Sequence, residues 1–178
     1  NKIMIDGNPV GYDEPCYIVA EIGINHSGSL SLAKKLIDAA VEAGVNAVKF
    51  QKRNLESLYQ KKILENPTLD SQGTEILIDV LNEVEFNEKD FGQIIDYCKE
   101  RKITFLCTPW DIPSVDLLEK FNVSAFKIAS ADLTNFPLLR YISKIGKPMI
   151  ISTGMSELDE IEKTVNFVKN EQVPFILL

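Results

Sequence analysis

Short apolar runs recur along the chain, each framed by polar residues, glycine or proline. They are Tyr17 to Ile22, Ala47 to Gln51, Thr104 to Cys107, Ala125 to Ile128, Met149 to Ile151 and Pro174 to Leu178. Each is brief and apolar, and most are rich in Val, Ile or Phe, which predicts strands buried in a sheet. Between them the apolar positions change to a helical period. Leu32, Leu36, Ile37, Ala40 and Val41 share one face, and Gly44 supplies a stop. Phe91, Ile94, Ile95 and Cys98 repeat the pattern behind Asn87, which suits an N-cap. Pro113 and Pro137 stand where a first helical turn would begin. Ser156 with Asp159 forms a capping signal ahead of Ile161, Val165 and Val168.

Strand alternating with helix predicts a parallel sheet with right-handed crossovers. The last four strand starts are spaced by roughly 20–25 residues, close to the minimum for a βαβ unit. The opening differs: Ile3 and Ile5, then Asp6-Gly7-Asn8, then Val10 predict a hairpin within residues 1–15. In a barrel it would plug the N-terminal end. Residues 53–86 break the rhythm, first polar, then with Ile76, Leu77, Val80 and Leu81 predicting a short extra helix. An excursion after a strand's C-terminal end fits a lid or binding loop, and equally a decorative insertion. The sequence stops on its sixth strand, whereas a (β/α)₈ TIM barrel needs eight and typically about 250 residues. The expectation is α/β: one domain over 1–178, an incomplete TIM barrel of about six βα units, with an open doubly wound sheet as the alternative.

Composition narrows the class. Hydrophobic residues make up 45% and charged residues 25%, as in an ordinary soluble globular protein. The net charge of −7 argues against nucleic acid or an anionic membrane as partner. No apolar stretch approaches the roughly 18 residues of a membrane span. The start, Asn1-Lys2-Ile3-Met4-Ile5, lacks both an initiator Met and the features of a signal peptide. Cys16, Cys98 and Cys107 are odd in number and scattered, which suggests a reduced, cytoplasmic setting. His26 is the only histidine and has no ligand-spaced neighbours, so a packing or loop role is expected of it rather than a metal site. Cys107, inside a strand, reads as packing rather than nucleophile.

The strand ends carry the chemistry, because barrel active sites form there. In order they hold Glu21, then Lys49 and Gln51, then Thr108, then Lys127 and Ser130, then Ser152 and Thr153. Side chains alternate along a strand. If Val48, Phe50, Phe126 and Ile128 face the helices, Lys49 and Lys127 point into the barrel. Two unpaired ammonium groups there would cost several kcal/mol, so anions are needed. Glu21 balances one charge. The other, with hydroxyls nearby, suits a phosphate or carboxylate ligand. Structural ion pairing or snorkelling is the competing explanation, and a lone Ser or Thr after a strand is often only a cap.

The run Ala20-Glu21-Ile22-Gly23-Ile24-Asn25-His26-Ser27-Gly28 resembles the first-strand signature of the sialic acid synthase (NeuB-like) family. Ala47-Val48-Lys49-Phe50-Gln51, Phe126-Lys127-Ile128-Ala129-Ser130, Thr134-Asn135-Phe136-Pro137 and Ile151-Ser152-Thr153-Gly154-Met155 follow in the family's order. The resemblance implies a TIM barrel with a later antifreeze-like domain, in a homodimer. It implies condensation of phosphoenolpyruvate with an N-acetylated amino sugar, N-acetylmannosamine first, to a nonulosonic acid and phosphate. Legionaminic acid or spore-coat polysaccharide synthesis is the sister possibility, and a non-catalytic phosphate-binding barrel the bland one. By resemblance Lys49, Thr108, Lys127, Ser130 and Ser152 bind phosphoenolpyruvate, Gln51 contacts the sugar, and Glu21 is the acid/base residue. A divalent metal (Mn or Mg) is implied too. The family's histidine ligands come after the position of Leu178, so this chain is expected to be a fragment.

Overall fold

The structure, a computed structural model, describes residues 2–66 and 74–178, with side chains from Ile78 onward in the second stretch. Strands β1 (Ile3–Ile5) and β2 (Asn8–Val10) form an antiparallel hairpin. Its two-residue turn, Asp6-Gly7, has positive φ at both positions (48° and 77°), the geometry that Asp-Gly favours between twisted strands.

The remaining strands make one parallel sheet in chain order: β3 (Val19–Gly23), β4 (Ala47–Lys52), β5 (Thr104–Pro109), β6 (Phe126–Ile128), β7 (Met149–Ile151) and β8 (Phe175–Leu177). The order never reverses. A doubly wound sheet must reverse to place helices on both faces, so the alternative topology is excluded and this is an unclosed barrel wall. The connecting helices are α1 (Leu30–Glu42), α2 (Leu55–Leu58), α3 (Lys61–Glu65), α4 (Thr74–Val84), α5 (Glu88–Glu100), α6 (Ile112–Lys120), α7 (Phe136–Ser143) and α8 (Leu158–Asn170). Among the described residues, the stretch 53–86 thus holds α2, α3 and α4. In α4 it is Ile78 and Leu81 that are buried, while Val80 faces outward. The side chains of Ile76 and Leu77 lie outside the described residues.

Local signals explain the boundaries. Asn87 caps α5 by accepting from the Asp90 N–H at 3.0 Å, and Pro113 and Pro137 sit in the first turns of α6 and α7. The start of α8 differs from expectation by one residue. Glu157, not Ser156, is the N-cap, and its N–H donates to Glu160 Oε2 at 2.9 Å in a capping box. Ser156 Oγ instead donates to the Gly154 carbonyl.

The sheet has two apolar faces. Val48, Phe50, Phe126, Ile128 and Ile151 pack outward against helical residues such as Ile37, Ile94, Leu118 and Ile142. Ala47, Leu106, Ala125 and Ile150 pack inward against Ile5, Val10 and Tyr17, so the hairpin segment fills the N-terminal end of the barrel. Among the described residues, no helix is long and apolar enough to cross a membrane.

Candidate active site

Two residues beyond the inward apolar layer, the same face turns polar. Ala47 is followed on its face by Lys49, Leu106 by Thr108, Ala125 by Lys127 and Ile150 by Ser152. The parallel register sets Glu21 opposite Lys49, but Lys49 opposite Leu106 and Lys127 opposite Ile150, so Thr108 and Ser152 each stand one inward position further along the neighbouring strand than the lysine beside them. A cavity of about 430 Å³ opens there, lined by Glu21, Lys49, Lys127 and Ser152 above the hairpin residues.

The two lysines are buried and differently partnered. Lys49 forms an ion pair with Glu21 and donates to Thr108 Oγ1 at 3.3 Å. Lys127 donates to Ser152 Oγ at 2.6 Å and to the Ile128 carbonyl at 2.7 Å. Among the described residues it has no carboxylate partner. Burial, then repulsion from Lys49, pushes its pKa down to about 8 against a weaker opposing pull from Glu21. Both hydroxyls accept from a lysine, which leaves their own protons free for a ligand.

Glu21 is half exposed at the cavity mouth. Its Oε2 faces Lys49, and its Oε1 lies over Gly23. Gly23 has φ +57°, follows a bulge in β3, and carries no Cβ; a Cβ there would sit 3.1 Å from Glu21 Oε1 and 3.3 Å from Gln51 Nε2. Gln51 accepts from Arg53 Nη2 at 2.5 Å. Ser130 opens a single 3₁₀ turn after β6 and lies against Gly154. Neither lysine hydrogen-bonds to it, so it joins the rim without joining the lysine pair.

His26 is buried, stacked on Phe86 with centroids 4.1 Å apart, and its Nδ1 accepts from the Gly28 N–H at 3.2 Å. Burial lowers its pKa to about 4. It organises the loop after β3, as expected. Gly28 lets that loop dock, because a Cβ there would meet the Glu83 carbonyl of α4 at 2.5 Å. Cys107 is fully buried and burial pushes its thiol pKa well up, so it is no nucleophile.

A divalent metal does not fit these residues. His26 has its Nδ1 lone pair engaged and packs among phenylalanines, the one carboxylate lining the cavity is paired with Lys49, and no group of three potential ligands exists among the described residues.

The strand-end pattern does not single out Arg53 or Asp132, whereas Trp110, just past β5, is a residue expected to line the pocket or cover the rim. Arg53 shares the parity of Lys49 and Gln51, which was the available signal. Trp110 lies under its guanidinium. Asp132, two residues after Ser130, is buried, takes a hydrogen bond from Asn135 at 3.0 Å, and has its other oxygen unpartnered; burial raises its pKa.

The NeuB family pattern matches residues 36–178. The chain belongs to the NeuB family. It is 37% identical over 164 residues to the human N-acetylneuraminate-9-phosphate synthase, covering 92% of this chain and 46% of that one. It is 39% identical over 151 residues to the N,N'-diacetyllegionaminic acid synthase of Campylobacter jejuni, covering 84% and 45%. The solved N-acetylneuraminic acid synthetase of Leptospira borgpetersenii superposes with TM-score 0.88 at 33% identity, covering 99% of this chain and 58% of that one. The chain spans about half the length of the curated relatives it matches. As a NeuB-family wall it shares the TIM-barrel architecture of the Leptospira protein.

Proposed function

We propose that this NeuB-family chain supplies the phosphoenolpyruvate-binding part of a synthase that condenses phosphoenolpyruvate with an N-acetylated amino sugar, N-acetylmannosamine first among them, to a nonulosonic acid plus phosphate. The observation that carries this is Lys127: a buried ammonium with hydroxyl and carbonyl partners but, among the described residues, no counter-ion, facing a cavity that holds a second ammonium. Such a charge is stabilised by a small dianion or trianion.

In this reading the enol carbon of phosphoenolpyruvate attacks the aldehyde carbon of the open-chain sugar, and the aldehyde oxygen takes a proton to become a hydroxyl. Water adds to the resulting cationic carbon and loses a proton. The adduct then expels phosphate by breaking its C–O bond, leaving a keto acid. Lys127 and Lys49 hold the anion in attack geometry, an orienting and electrostatic role. Thr108 and Ser152 donate their free protons to its oxygens, and Ser130 closes the rim beside them. Gln51 meets the sugar. Glu21 is half exposed with Oε1 free of Lys49, so it orients or deprotonates the attacking water. A divalent cation, manganese or magnesium, is held by residues outside 1–178, and the full-length protein works as a homodimer.

The test uses the full-length protein, with phosphoenolpyruvate, a divalent metal and a panel of N-acetylated hexosamines. Phosphate release with one of them is expected, and silence across the panel overturns the reading. Relatives that make sialic and legionaminic acids match at 37% and 39%, so the panel also decides between these sugars.

One observation favours a second reading. An amine with a pKa near 8 is partly neutral at physiological pH, which suits a Schiff-base lyase. Borohydride would then trap a carbonyl substrate on Lys127; without a trapped adduct that reading fails.

A further inference from the structure

Arg53 is the mouth residue that the proposed chemistry leaves without a task. It follows β4 directly, and the chain around it is fixed at three consecutive residues. Lys52 Nζ pairs with Glu85 at 2.6 Å, the Arg53 N–H donates to the same carboxylate oxygen at 3.2 Å, and the Asn54 N–H donates to Asp111 Oδ2 at 2.6 Å. The guanidinium itself lies over the indole of Trp110, 4.4 Å from the ring centroid. One of its nitrogens, Nη1, is buried without a partner, and Nη2 donates to Gln51 Oε1. No other residue hydrogen-bonds the Gln51 amide among the described residues.

An amide has two ends of nearly the same shape and opposite hydrogen-bonding sense. A guanidinium carries donors only, so the end of Gln51 that faces Arg53 has to be the carbonyl oxygen. The NH₂ is thereby turned the other way, over the bare face of Gly23, where a Cβ would sit 3.3 Å from it. The geometry points to Arg53 as the positioning residue that holds the Gln51 amide with its N–H donors toward the amino sugar, so that the site reads an acceptor oxygen of that sugar. This inference rests on the function proposed above. Stacking on Trp110 holds the planar fork in place, which an ammonium on a flexible stem cannot reproduce.

The experiment is a kinetic double-mutant cycle in the full-length enzyme with Arg53→Met, Gln51→Ala and the pair. Arg53→Met is expected to raise KM for the amino sugar roughly five- to tenfold, the size of one neutral hydrogen bond, with KM for phosphoenolpyruvate changed less than about twofold. In the Gln51→Ala background the same substitution should change the sugar KM less than about twofold. Arg53→Lys should fall between Arg53→Met and wild type. Undiminished multiplication of the two effects overturns the inference, and so does an equal loss of both substrates, which marks a merely structural arginine. Should Arg53→Met not fold, the cycle run with Arg53→Lys decides by the same criteria. If the wild type turns over no sugar, the functional reading falls and takes this one with it. If it turns over and the cycle shows no coupling, this one falls alone.

Discussion

The inward face of the sheet is apolar at the N-terminal ends of its strands and ionic one layer further along. Ala47, Leu106, Ala125 and Ile150 meet the hairpin segment. Two residues on and about 7 Å away, Lys49, Lys127 and Ser152 line the cavity, and Thr108 accepts from Lys49 behind it. Strand direction and parity do not distinguish the two groups. The difference lies in satisfaction. The lower layer buries Ile5 completely and is held by apolar packing. The upper layer keeps an ammonium without a counter-ion and two hydroxyls with protons to give. Under the proposed function, one end of the barrel provides stability and the other is completed by a ligand.

The sharpest way to break the contrast is Lys127→Met in the full-length protein. Phosphoenolpyruvate affinity should fall about a thousandfold, ~4 kcal/mol, as expected for losing a desolvated charge partner. The melting temperature should hold or rise, because a buried charge without a carboxylate is removed. Calorimetric binding and thermal melts read the two effects; a large drop in melting temperature at unchanged affinity would invert the assignment. Ile5→Ala is the mirror experiment. It should cost about 3 kcal/mol of stability by denaturant titration and leave phosphoenolpyruvate affinity within about twofold.

His26 sharpens the comparison from the outer wall of the mouth. Its folded pKa of about 4 lies below the ordinary 6.5, so the unfolded chain binds the proton more tightly. Stability is intact above pH 6.5 and is lost as pH falls toward 4, by about 2 kcal/mol at pH 5. In a His26→Asn variant that acid-sensitive loss should vanish from the urea midpoints. The smallest effect concerns Lys127 itself. Its free-state pKa is about 8 and a bound anion raises it. Phosphoenolpyruvate affinity should therefore be level below pH 8 and fall by up to about tenfold per pH unit above it, ~1.4 kcal/mol, with proton uptake on binding. Binding titrations in buffers of different ionisation enthalpy measure both.

Much of this was open to sequence reasoning because period and parity are local. The alternation of Val48, Lys49, Phe50 and Gln51 predicts which faces meet helices and which the barrel interior, and the structure agrees. Asp6-Gly7 predicts the hairpin turn for a reason confined to two residues. The α8 cap slipped by one residue because Ser156 and Glu157 are both competent caps and only the path of the chain from β7 chooses between them. The strand pattern puts Ser130 at a strand end with the lysines, and the 3₁₀ turn that sets it against Gly154 is a feature that this pattern does not encode.

By itself, then, the sequence determined the order of strands and helices, the split between outward and inward residues, and the layer in which charge would collect. These follow from the two-residue repeat of a strand and the 3.6-residue repeat of a helix. Only the tertiary structure decided which charge finds a partner. Lys49 takes Glu21 from the neighbouring strand, Lys127 does not, and Arg53 turns the Gln51 amide while resting on Trp110 from β5's end. Those outcomes depend on distances between strands far apart in sequence, which no local repeat encodes.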